Sequence, residues 1–379
     1  MKQYTRKLLQ HRANVVGRVL VCIFAIAAIC FGVAQYHKNR SYESYEVISS
    51  MEHEDTINTR YEEYGDYLLK YSKDGITCLN LSHEAVWSQP FSIQDPIVSI
   101  CGPSAVLADR GGNQVYIFNE SGLLGQVDTL LPVQQVVVSR QGVTAVLLED
   151  SRVSWIYLYD AEGNTLLSAQ CSLADTGQPL SISLSHDGSK LAVSYLQISG
   201  GAANSCVVFY NLGSVGDNFV DKIVASRVYE GLLVSRVQYL DGDTCVAIGE
   251  EGFSIYEGAE IPEETETVLV EGEIRSICFG SKEVGVVCEQ DGEEPYLLRV
   301  YDERGGLVLE QPFSLAYSQV KLSGDNVIVY NDTECIIYSK QGVIRYEGTF
   351  SESLVNVYSL QGRRFVLIHP QRTEVIKLK

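Results

Sequence analysis

The 379-residue sequence lacks the short motifs by which most catalytic sites are recognised. A Gly-x-Ser-x-Gly elbow, a P-loop and a Gly-x-Gly-x-x-Gly turn are all absent, which removes the usual support for nucleophilic and nucleotide chemistry. The six histidines are scattered singly and no CxxC pair is present, so no zinc site is indicated. We therefore predict a non-enzymatic protein with no catalytic residue, no cofactor and no metal ion.

Positive charge is also scarce, since 29 Lys and Arg residues face 48 Asp and Glu residues and give a net charge of −19. Nucleic-acid binding needs a basic footprint, so this balance excludes it. Residues 1–34 contain basic residues and no acidic one, which makes the remainder still more acidic than the whole chain. That remainder is not expected to lie flat on an anionic membrane surface.

A single apolar run, residues 19–34, approaches the length of a membrane-spanning helix, and residues 15–17 lengthen it if Arg18 reaches the headgroups. Basic residues cluster before this run, so the positive-inside rule predicts a cytoplasmic N-terminus and an extracytoplasmic remainder. We predict a cytoplasmic basic stub at 1–14, a single-pass anchor at 15–35, a linker at 36–43 and an ectodomain at 44–379. The protein is thus placed in the cell membrane.

The N-terminal segment has two alternative interpretations. A cleavable signal peptide is the main alternative, because Gly32, Val33 and Ala34 offer a small-residue cleavage site. The long charged region and long apolar stretch favour an uncleaved anchor instead. Lipid attachment at Cys30 is disfavoured because Ile29, which is not a small residue, precedes it.

Ten cysteines would suggest disulfides in a protein outside the cytoplasm, but their placement indicates otherwise. Cys22 and Cys30 lie in the predicted anchor. A free Cys inside an apolar strand behaves as a small hydrophobic residue. Five more cysteines fall in such strand-like runs: Cys78, Cys206, Cys278, Cys288 and Cys335. We predict that they are reduced core residues.

Helical periodicity is absent after the predicted anchor, and a four-strand unit instead recurs about every 40 residues, as in propeller repeats. Each unit opens with a short alternating strand and a turn, such as ISLSHDG, and continues with an apolar second strand, such as TAVLLED. One apolar position per unit marks the repeat: Tyr61, Val98, Val136, Ile182, Val237, Ile277, Val320 and Val355.

The third and fourth strands of four units share one pattern, in which a polar turn ending in Gly joins two apolar strands, as in IYLYDAEGNTLL. Such a hairpin needs a residue that adopts positive φ without a steric penalty. The glycines at this position are Gly122, Gly163, Gly305 and Gly342.

These repeats predict an all-β protein, a β-propeller of eight blades with four antiparallel strands each. The last unit has only three strands before the chain ends, so residues 44–50 are predicted to supply its fourth strand and close the ring. If that pairing failed, a seven-bladed ring with loose ends would be the alternative.

The segments YSKDGI, HEAVWSQPF, IYLYDAEGNTL and SISLSHDGSKLAVSY (181–195) resemble blade motifs of quinoprotein-like and WD-type propellers. Over nearly its whole length the chain resembles the uncharacterised membrane-anchored family of Gram-positive, clostridial-type bacteria called domain of unknown function 5711. That resemblance implies a propeller and no activity. The WD dipeptide is missing, as are the stacking Trp and metal-binding residues that a quinone cofactor would need.

The longest repeat interval points to the best candidate for ligand contacts. Extra residues enter at 197–205 and 213–221, and the first insertion joins the second and third strands on the face where propellers commonly bind ligands. The candidate residues are Gln197, Ser199 and Asn204. A tolerated surface insertion is the alternative. Trp87 and Trp155 are predicted to pack between strands, and Asp187 is predicted to cap its own turn.

The leading functional hypothesis is a membrane-anchored, extracytoplasmic propeller that acts as a protein-interaction or assembly platform in the cell envelope. The alternative is an extracytoplasmic enzyme, or a propeller that binds carbohydrate or another small ligand in its central channel. Acid and base residues that converge at the channel mouth would favour the alternative, whereas an apolar patch on one face would favour the platform. A signalling role is disfavoured because the predicted cytoplasmic stub is too short for an output domain.

Overall fold

The computed structural model describes residues 24–25, 40–56, 58–150, 153–171, 176–199 and 201–379. These residues form eight four-stranded antiparallel sheets, which confirms the predicted eight-bladed all-β propeller. The predicted stub and anchor lie outside the described residues apart from Phe24 and Ala25, as do Cys22, Cys30, His11 and His37. In the part of the chain that the structure describes, no helix has the length and hydrophobicity needed to cross a bilayer.

The first four blades follow one another along the chain. Blade 1 contains β2 (Arg60–Tyr64), β3 (Tyr67–Tyr71), β4 (Gly75–Leu79) and β5 (Ala85–Pro90). Blade 2 contains β6 (Pro96–Cys101), β7 (Ser104–Asp109), β8 (Gln114–Asn119) and β9 (Gly122–Asp128). Blade 3 contains β10 (Val133–Val138), β11 (Thr144–Asp150), β12 (Val153–Tyr159) and β13 (Thr165–Cys171). Blade 4 contains β14 (Gln178–Leu184), β15 (Lys190–Ser199), β16 (Ala202–Asn211) and β17 (Ile223–Tyr229).

The remaining blades continue this order, and the last one borrows a strand from the N-terminal side. Blade 5 contains β18 (Val234–Tyr239), β19 (Thr244–Gly249), β20 (Gly252–Glu257) and β21 (Glu263–Leu269). Blade 6 contains β22 (Ile274–Phe279), β23 (Glu283–Glu289), β24 (Tyr296–Asp302) and β25 (Leu307–Phe313). Blade 7 contains β26 (Gln319–Ser323), β27 (Asn326–Tyr330), β28 (Glu334–Ser339) and β29 (Ile344–Thr349). Blade 8 contains β30 (Asn356–Ser359), β31 (Arg364–Ile368), β32 (Arg372–Leu378) and β1 (Tyr45–Glu52).

Strand β1 closes the ring, as predicted from the missing fourth strand of the last repeat. It pairs antiparallel with β32, from Tyr45 opposite Leu378 to Glu52 opposite Arg372. A bulge at Ile48 shifts the register between Val47 and Ser49. Closure removes the exposed edge that β32 would otherwise present to solvent.

The first strand of each blade is its inner strand, because the first strands of neighbouring blades approach one another, as β14 and β18 do. Inner strands therefore surround the central channel. We call the face that carries the turns between strands one and two, and between strands three and four, the turn face. The opposite face, which carries the turns between strands two and three and the connections between blades, is the loop face.

Sequence alone located the hairpin glycines of the turn face. Gly122, Gly163, Gly305 and Gly342 all have positive φ, which confirms the prediction. At Gly305 a Cβ atom would also lie 2.8 Å from a methyl group of Val268 in the preceding blade. The glycine thus serves both the turn and the close packing of blades 5 and 6.

The apolar core is divided among the eight contacts between neighbouring blades, which we call seams. Each seam contains one cluster of buried apolar side chains. The five cysteines predicted to be core residues are free and buried in these strands. In the last repeat the inward-facing position is Val357, which is fully buried, rather than the predicted Val355, which is exposed. The Asn-Val-Tyr-Ser strand therefore starts one residue later than the alternation suggested.

Polar side chains protect the open edges of the inner strands. An inner strand has no hydrogen-bonding neighbour on its channel side, so its outward amides need other partners. Oε1 of Gln135 in blade 3 accepts from the amide of Ile182 in blade 4 at 2.9 Å. The Oγ of Ser183 accepts from the amide of Tyr239 at 2.8 Å in the same way, one blade further on. Neighbouring blades are thus held in register by hydrogen bonds as well as apolar contact.

Candidate functional site

The insertion predicted to carry ligand contacts forms the longest hairpin of the ring. Strands β15 and β16 have ten residues each, whereas every other described strand has four to eight. Their pairing continues to Ser199 opposite Ala202, on the loop face of blade 4. The extra residues therefore join the second and third strands, as predicted, and extend the hairpin beyond its neighbours. The second insertion forms two short 3-10 turns, Gly216–Asn218 and Val220–Lys222, on the turn face.

Gln197 and Asn204 lie opposite each other in this hairpin, and both side chains make internal contacts. Nε2 of Gln197 donates to the carbonyl oxygen of Thr176 at 3.0 Å, and the amide of Gly231 donates to Oδ1 of Asn204 at 2.8 Å. Thr176 precedes blade 4 and Gly231 follows it, so the two side chains tie the hairpin to the loops on both sides. Ser199 occupies the last paired position of β15. The hairpin brings the three candidates together, and their contact with a ligand stays a prediction.

The base of the hairpin is further fixed by Gly177. A Cβ atom at this position would lie 2.5 Å from the carbonyl oxygen of Leu196, so only glycine lets the loop before blade 4 pack against β15. Beyond this base the hairpin presents an apolar side chain to solvent, because Ile198 is 74% exposed. Leu180 and Val228 of the same blade are also exposed. An exposed apolar residue on a fixed projection is suited to contact another surface.

A cavity of about 750 Å³ lies on the turn face where blades 7, 8 and 1 meet. Its wall combines charges of both signs, with Asp66 from blade 1, Asp325 from blade 7 and Arg363 from blade 8. Arg345 is 6% exposed, and its Nη1 donates to Oδ1 of Asn326 at 2.7 Å. Its Nη2 donates to the carbonyl oxygen of Gly362 at 3.1 Å, so this guanidinium ties blade 7 to blade 8.

Lys321 and two glutamates meet on the channel side of this cavity. The Nζ of Lys321 contacts Oδ1 of Asn356 and lies 3.9 Å from the centre of the Tyr358 ring. Burial lowers the pKa of Lys321 to about 8 against the opposing influence of Glu62 and Glu63. Burial likewise raises the pKa of both glutamates. The site therefore holds a lysine that titrates near pH 8 beside two carboxyl groups that ionise less readily than usual.

Asn356 is the centre of this arrangement. Its Oδ1 accepts from the hydroxyl of Tyr330 at 3.0 Å, and its Nδ2 donates to the carbonyl oxygen of Tyr61 at 3.1 Å. The hydroxyl of Tyr358 also donates to the Tyr61 carbonyl oxygen. These contacts join blades 7, 8 and 1, so the cluster has a structural role whatever it binds.

Sequence reasoning missed this cluster because its members come from three distant repeats. The signal was nevertheless present in the inner strands, where RYEEY and VKLS place charged residues at positions that most other repeats fill with apolar or hydroxyl side chains. Glu62 lies in blade 1 and Lys321 in blade 7, so their approach across blade 8 depends on the geometry of the closed ring and not on any single repeat. Among the residues the structure describes, no group of three His, Cys, Asp or Glu side chains is arranged to hold a metal ion.

A second polar cluster lies between blades 8 and 1, on the side of the loop face. Nδ1 of His53 lies 3.0 Å from Oδ2 of Asp55, whose side chain is 5% exposed. Lys70 and the hydroxyl of Tyr61 contact the same carboxylate. Burial lowers the pKa of His53 and of His83, and the nearby cation of Lys70 acts in the same direction. His53 lies in this seam, whereas His83 lies in the turn between β4 and β5.

Two smaller predictions are confirmed. Trp87 stacks on Phe118 of the next blade with ring centres 5.2 Å apart, and its Nε1 donates to the carbonyl oxygen of Glu120. Oδ1 of Asp187 accepts from the amide of Ser189 at 3.0 Å and caps its own turn. Trp155 is partly buried and packs against the cluster between blades 2 and 3. None of these three residues belongs to the hairpin or to the cavity.

The chain belongs to the family of unknown function DUF5711, whose sequence profile matches residues 38–378. A search of curated proteins finds no match. Among solved structures, BamB from Moraxella catarrhalis is similar, with a TM-score of 0.54 and 12% identity over 88% of this chain and 100% of that one. Sqt1 from Saccharomyces cerevisiae gives a TM-score of 0.53 and 12% identity over 89% of this chain and 100% of that one.

A structure described as the eukaryotic initiation factor gives a TM-score of 0.51 and 13% identity over 86% of this chain and 84% of that one. At such identities the likeness shows the fold alone, because one propeller fold carries many unrelated functions. The features of this chain that bear on its own function are the hairpin, the cavity and the distribution of charge.

Proposed function

We propose that this protein is a non-enzymatic, membrane-anchored propeller of Gram-positive bacteria that acts outside the cytoplasm as a protein-interaction platform in the cell envelope. The apolar segment at 15–35 is the proposed anchor, and the hairpin of blade 4 is the proposed contact point. The observation that supports this most directly is the hairpin itself, which is tied down at Gln197 and Asn204 while Ile198 is left 74% exposed.

The position of the hairpin agrees with such a role. The chain enters the propeller between blades 7 and 8 on the turn face, where Oγ of Ser41 donates to the carbonyl oxygen of Ile344 of blade 7 at 2.7 Å. In a ring of eight consecutive blades, blade 4 lies opposite blade 8. The hairpin also stands on the other face. It is therefore presented at the point farthest from the proposed anchor, where a partner is least obstructed by the membrane.

The test is site-specific photo-cross-linking of the full-length protein in native membranes. A photoreactive residue at Ile198 is expected to capture one reproducible partner, whereas the same residue at Leu307, an exposed outer-strand position of blade 6, is not. Replacing residues 197–204 with an Asn-Gly turn is expected to abolish capture by a photoreactive residue placed at Leu180. Equal capture at Ile198 and Leu307, or capture unchanged by the shortened hairpin, would remove the support for this contact point.

The cavity supports a second candidate function, the binding of a small polar ligand beside the channel. Its wall of mixed charge favours this alternative, since acidic residues such as Asp66 and basic residues such as Arg363 line the same cavity. Glu63 and Tyr358 line the cavity and also face the Lys321 cluster. A screen of sugars, amino acids and short peptides by thermal shift is the direct test. A ligand that raises the Tm of the wild type but not that of Arg363→Ala would favour this candidate. A screen in which no compound raises the Tm would count against it.

A further inference from the structure

Blade 8 carries a concentration of positive charge that the overall composition conceals. The described cations on its turn face are Arg40, Arg363, Arg364, Lys377 and Lys379. We call this set the basic sector. Among the described residues, Glu43 and Glu46 are the acidic residues on the turn-face side of blade 8 and of the segment that leads into it, whereas Glu52 and Glu374 lie further toward the loop face. In a chain of net charge −19, such a local excess is a distinct surface rather than the average one.

The opposite side of the same face has the opposite sign. The acidic residues of the turns of blades 4 and 5 are Asp187, Asp217, Asp221, Asp241, Asp243 and Glu260. The turn face thus changes from acidic to basic across the ring. An anionic surface would attract blade 8 and repel blades 4 and 5.

The fold itself gains nothing evident from part of this arrangement. Arg364 and Lys377 are directly opposite each other on β31 and β32, and like charges in that position are destabilising. The one ion pair within the sector joins Nζ of Lys379 to Oε2 of Glu46 at 2.6 Å. Lys379 lowers the pKa of Glu46, and Lys377 and Arg363 add to the effect. A single carboxylate is therefore surrounded by cations that exceed its charge.

The sector surrounds the place where the chain leaves the propeller toward residue 39. The ring of Tyr42 lies between two guanidinium groups, 5.6 Å from Cζ of Arg40 and 5.5 Å from Cζ of Arg363. The amide of Tyr42 donates to the carbonyl oxygen of Arg345 at 2.8 Å. Only about six residues separate the apolar run that ends at residue 34 from this fixed point, a span of at most about 20–25 Å.

We propose that the basic sector docks on anionic lipid headgroups beside the anchor, and that the ring is tilted so that blade 8 touches the membrane while blades 4 and 5 stand away. This inference rests on the proposed membrane anchor and adds to it an orientation and a lipid class. The tether holds the sector within reach of the surface, which matters because charge attraction fades beyond about 8 Å at physiological salt.

The experiment uses the full chain reconstituted into vesicles of phosphatidylcholine alone or of phosphatidylcholine with phosphatidylglycerol, followed by hydrogen exchange. Amides of 360–364 and 40–44 are expected to exchange several-fold more slowly with the anionic lipid, and high salt is expected to abolish the difference. The comparison of low and high salt uses the wild-type chain, so it remains valid even if a substitution impairs folding. Equal exchange in both vesicle types at low salt would overturn the proposal.

Two variants locate the effect. R363E/R364E is expected to lose the protection, which corresponds to about a tenfold or greater weakening of surface attraction. K282E/R304E reverses two charges on the turn face of blade 6 and is expected to keep it. Loss in both variants alike would show that overall charge rather than the basic sector is responsible, and would overturn the assignment.

A separate experiment tests whether the proposed anchor is inserted in the membrane. Alkaline extraction of native membranes reports whether the chain is inserted, and that result does not depend on the basic sector. If the chain is extracted, flotation with the same vesicles still tests the sector, because a basic surface alone gives salt-sensitive flotation with the anionic lipid. Protection by soluble polyphosphate but not by anionic vesicles would assign the sector to an acidic macromolecule and refute the lipid proposal.

Discussion

Two seams of this ring are built in different ways. Among the described residues, the seam between blades 3 and 4 buries thirteen apolar side chains in one cluster, whereas the seam between blades 8 and 1 buries five. The second seam instead contains the carboxylate of Asp55 with its contacts to His53, Lys70 and Tyr61. Asn356 adds hydrogen bonds across the inner strands of the same seam.

The difference follows from how each seam forms. Blades 3 and 4 are neighbours in the chain, so apolar attraction without direction is enough to hold them together. The seam between blades 8 and 1 joins strands that are far apart in sequence, such as those of Asn356 and Tyr61, which are 295 residues apart. Hydrogen-bonded pairs specify one register, because a slipped register would leave buried polar groups unpaired at about 1–3 kcal/mol each. The seam between blades 8 and 1, which we call the closing seam, therefore buries less apolar area, and its hydrogen bonds specify one register.

The largest effect on stability is expected from removing β1, the strand that closes the ring. Deletion of Tyr45–Glu52 is expected to lower the free energy of unfolding by more than about 4 kcal/mol, because it exposes β32 and separates the two ends of the ring. Urea denaturation followed by intrinsic fluorescence measures the change. The matched control is the replacement of residues 197–204 by an Asn-Gly turn, expected to cost about 1–2 kcal/mol because the hydrogen bonds of Gln197 and Asn204 are lost. Equal losses would mean that β1 is no more important than an exposed hairpin.

A pair of identical substitutions compares the two apolar clusters directly. Leu158→Ala in the seam of blades 3 and 4 is expected to cost about 4 kcal/mol, because the densely apolar surroundings cannot collapse onto the cavity. Leu68→Ala in the seam of blades 8 and 1 is expected to cost about 3 kcal/mol, since that cluster is smaller and its polar neighbours admit water. Both leucines are almost fully buried. The reverse order in chemical denaturation would contradict the proposed division between the seams.

The polar contacts of the closing seam are tested by Asn356→Ala. This change removes the Oδ1 acceptor of the Tyr330 hydroxyl and of Lys321 and one of the two donors to the Tyr61 carbonyl oxygen, and a loss of about 2 kcal/mol is expected. Asn218→Ala is the control, since that exposed side chain bonds only to carbonyl oxygens of its own turn and its loss is expected to stay within about 0.5 kcal/mol. A null result for Asn356→Ala would show that the network is dispensable.

The smallest expected effect is a dependence on pH that belongs to the closing seam. Burial lowers the pKa of His53 and His83 in the folded chain, so both stay neutral where the unfolded chain already takes up protons. Their contribution to stability is fully present above about pH 6.5, the ordinary histidine value, and is lost as the pH falls below it. The unfolding free energy of H53Q/H83Q is expected to fall less than that of wild type between neutral and acidic pH. Parallel curves would exclude the two histidines as the cause.

The sequence was sufficient for the parts of the fold that repeat. The alternating inner strands, the Gly-containing hairpins and the missing fourth strand predicted eight blades and the role of β1, because each depends on local pattern or on a count. The blade 4 hairpin was located because it lengthens one repeat. Its internal bonds at Gln197 and Asn204 were not predictable, since they depend on loops on either side of the blade.

The sites that were missed are those that bring distant repeats together. Lys321, Glu62 and Asn356 belong to three blades, and only the closed ring makes them neighbours. The basic sector was hidden for a related reason. Its members come from the two ends of the chain, as Arg40 and Arg363 on either side of Tyr42 show, and net charge averages them away.

Strand β1 is also synthesised well before the strand with which it pairs. It leaves the ribosome about 320 residues before its partner β32. At roughly 5–20 residues per second, β1 waits between about a quarter of a minute and a minute for its partner. During that time the backbone edge of β1 is unpaired and open to other chains. We expect a newly made molecule to need either a chaperone or spacing from its neighbours until β32 is synthesised.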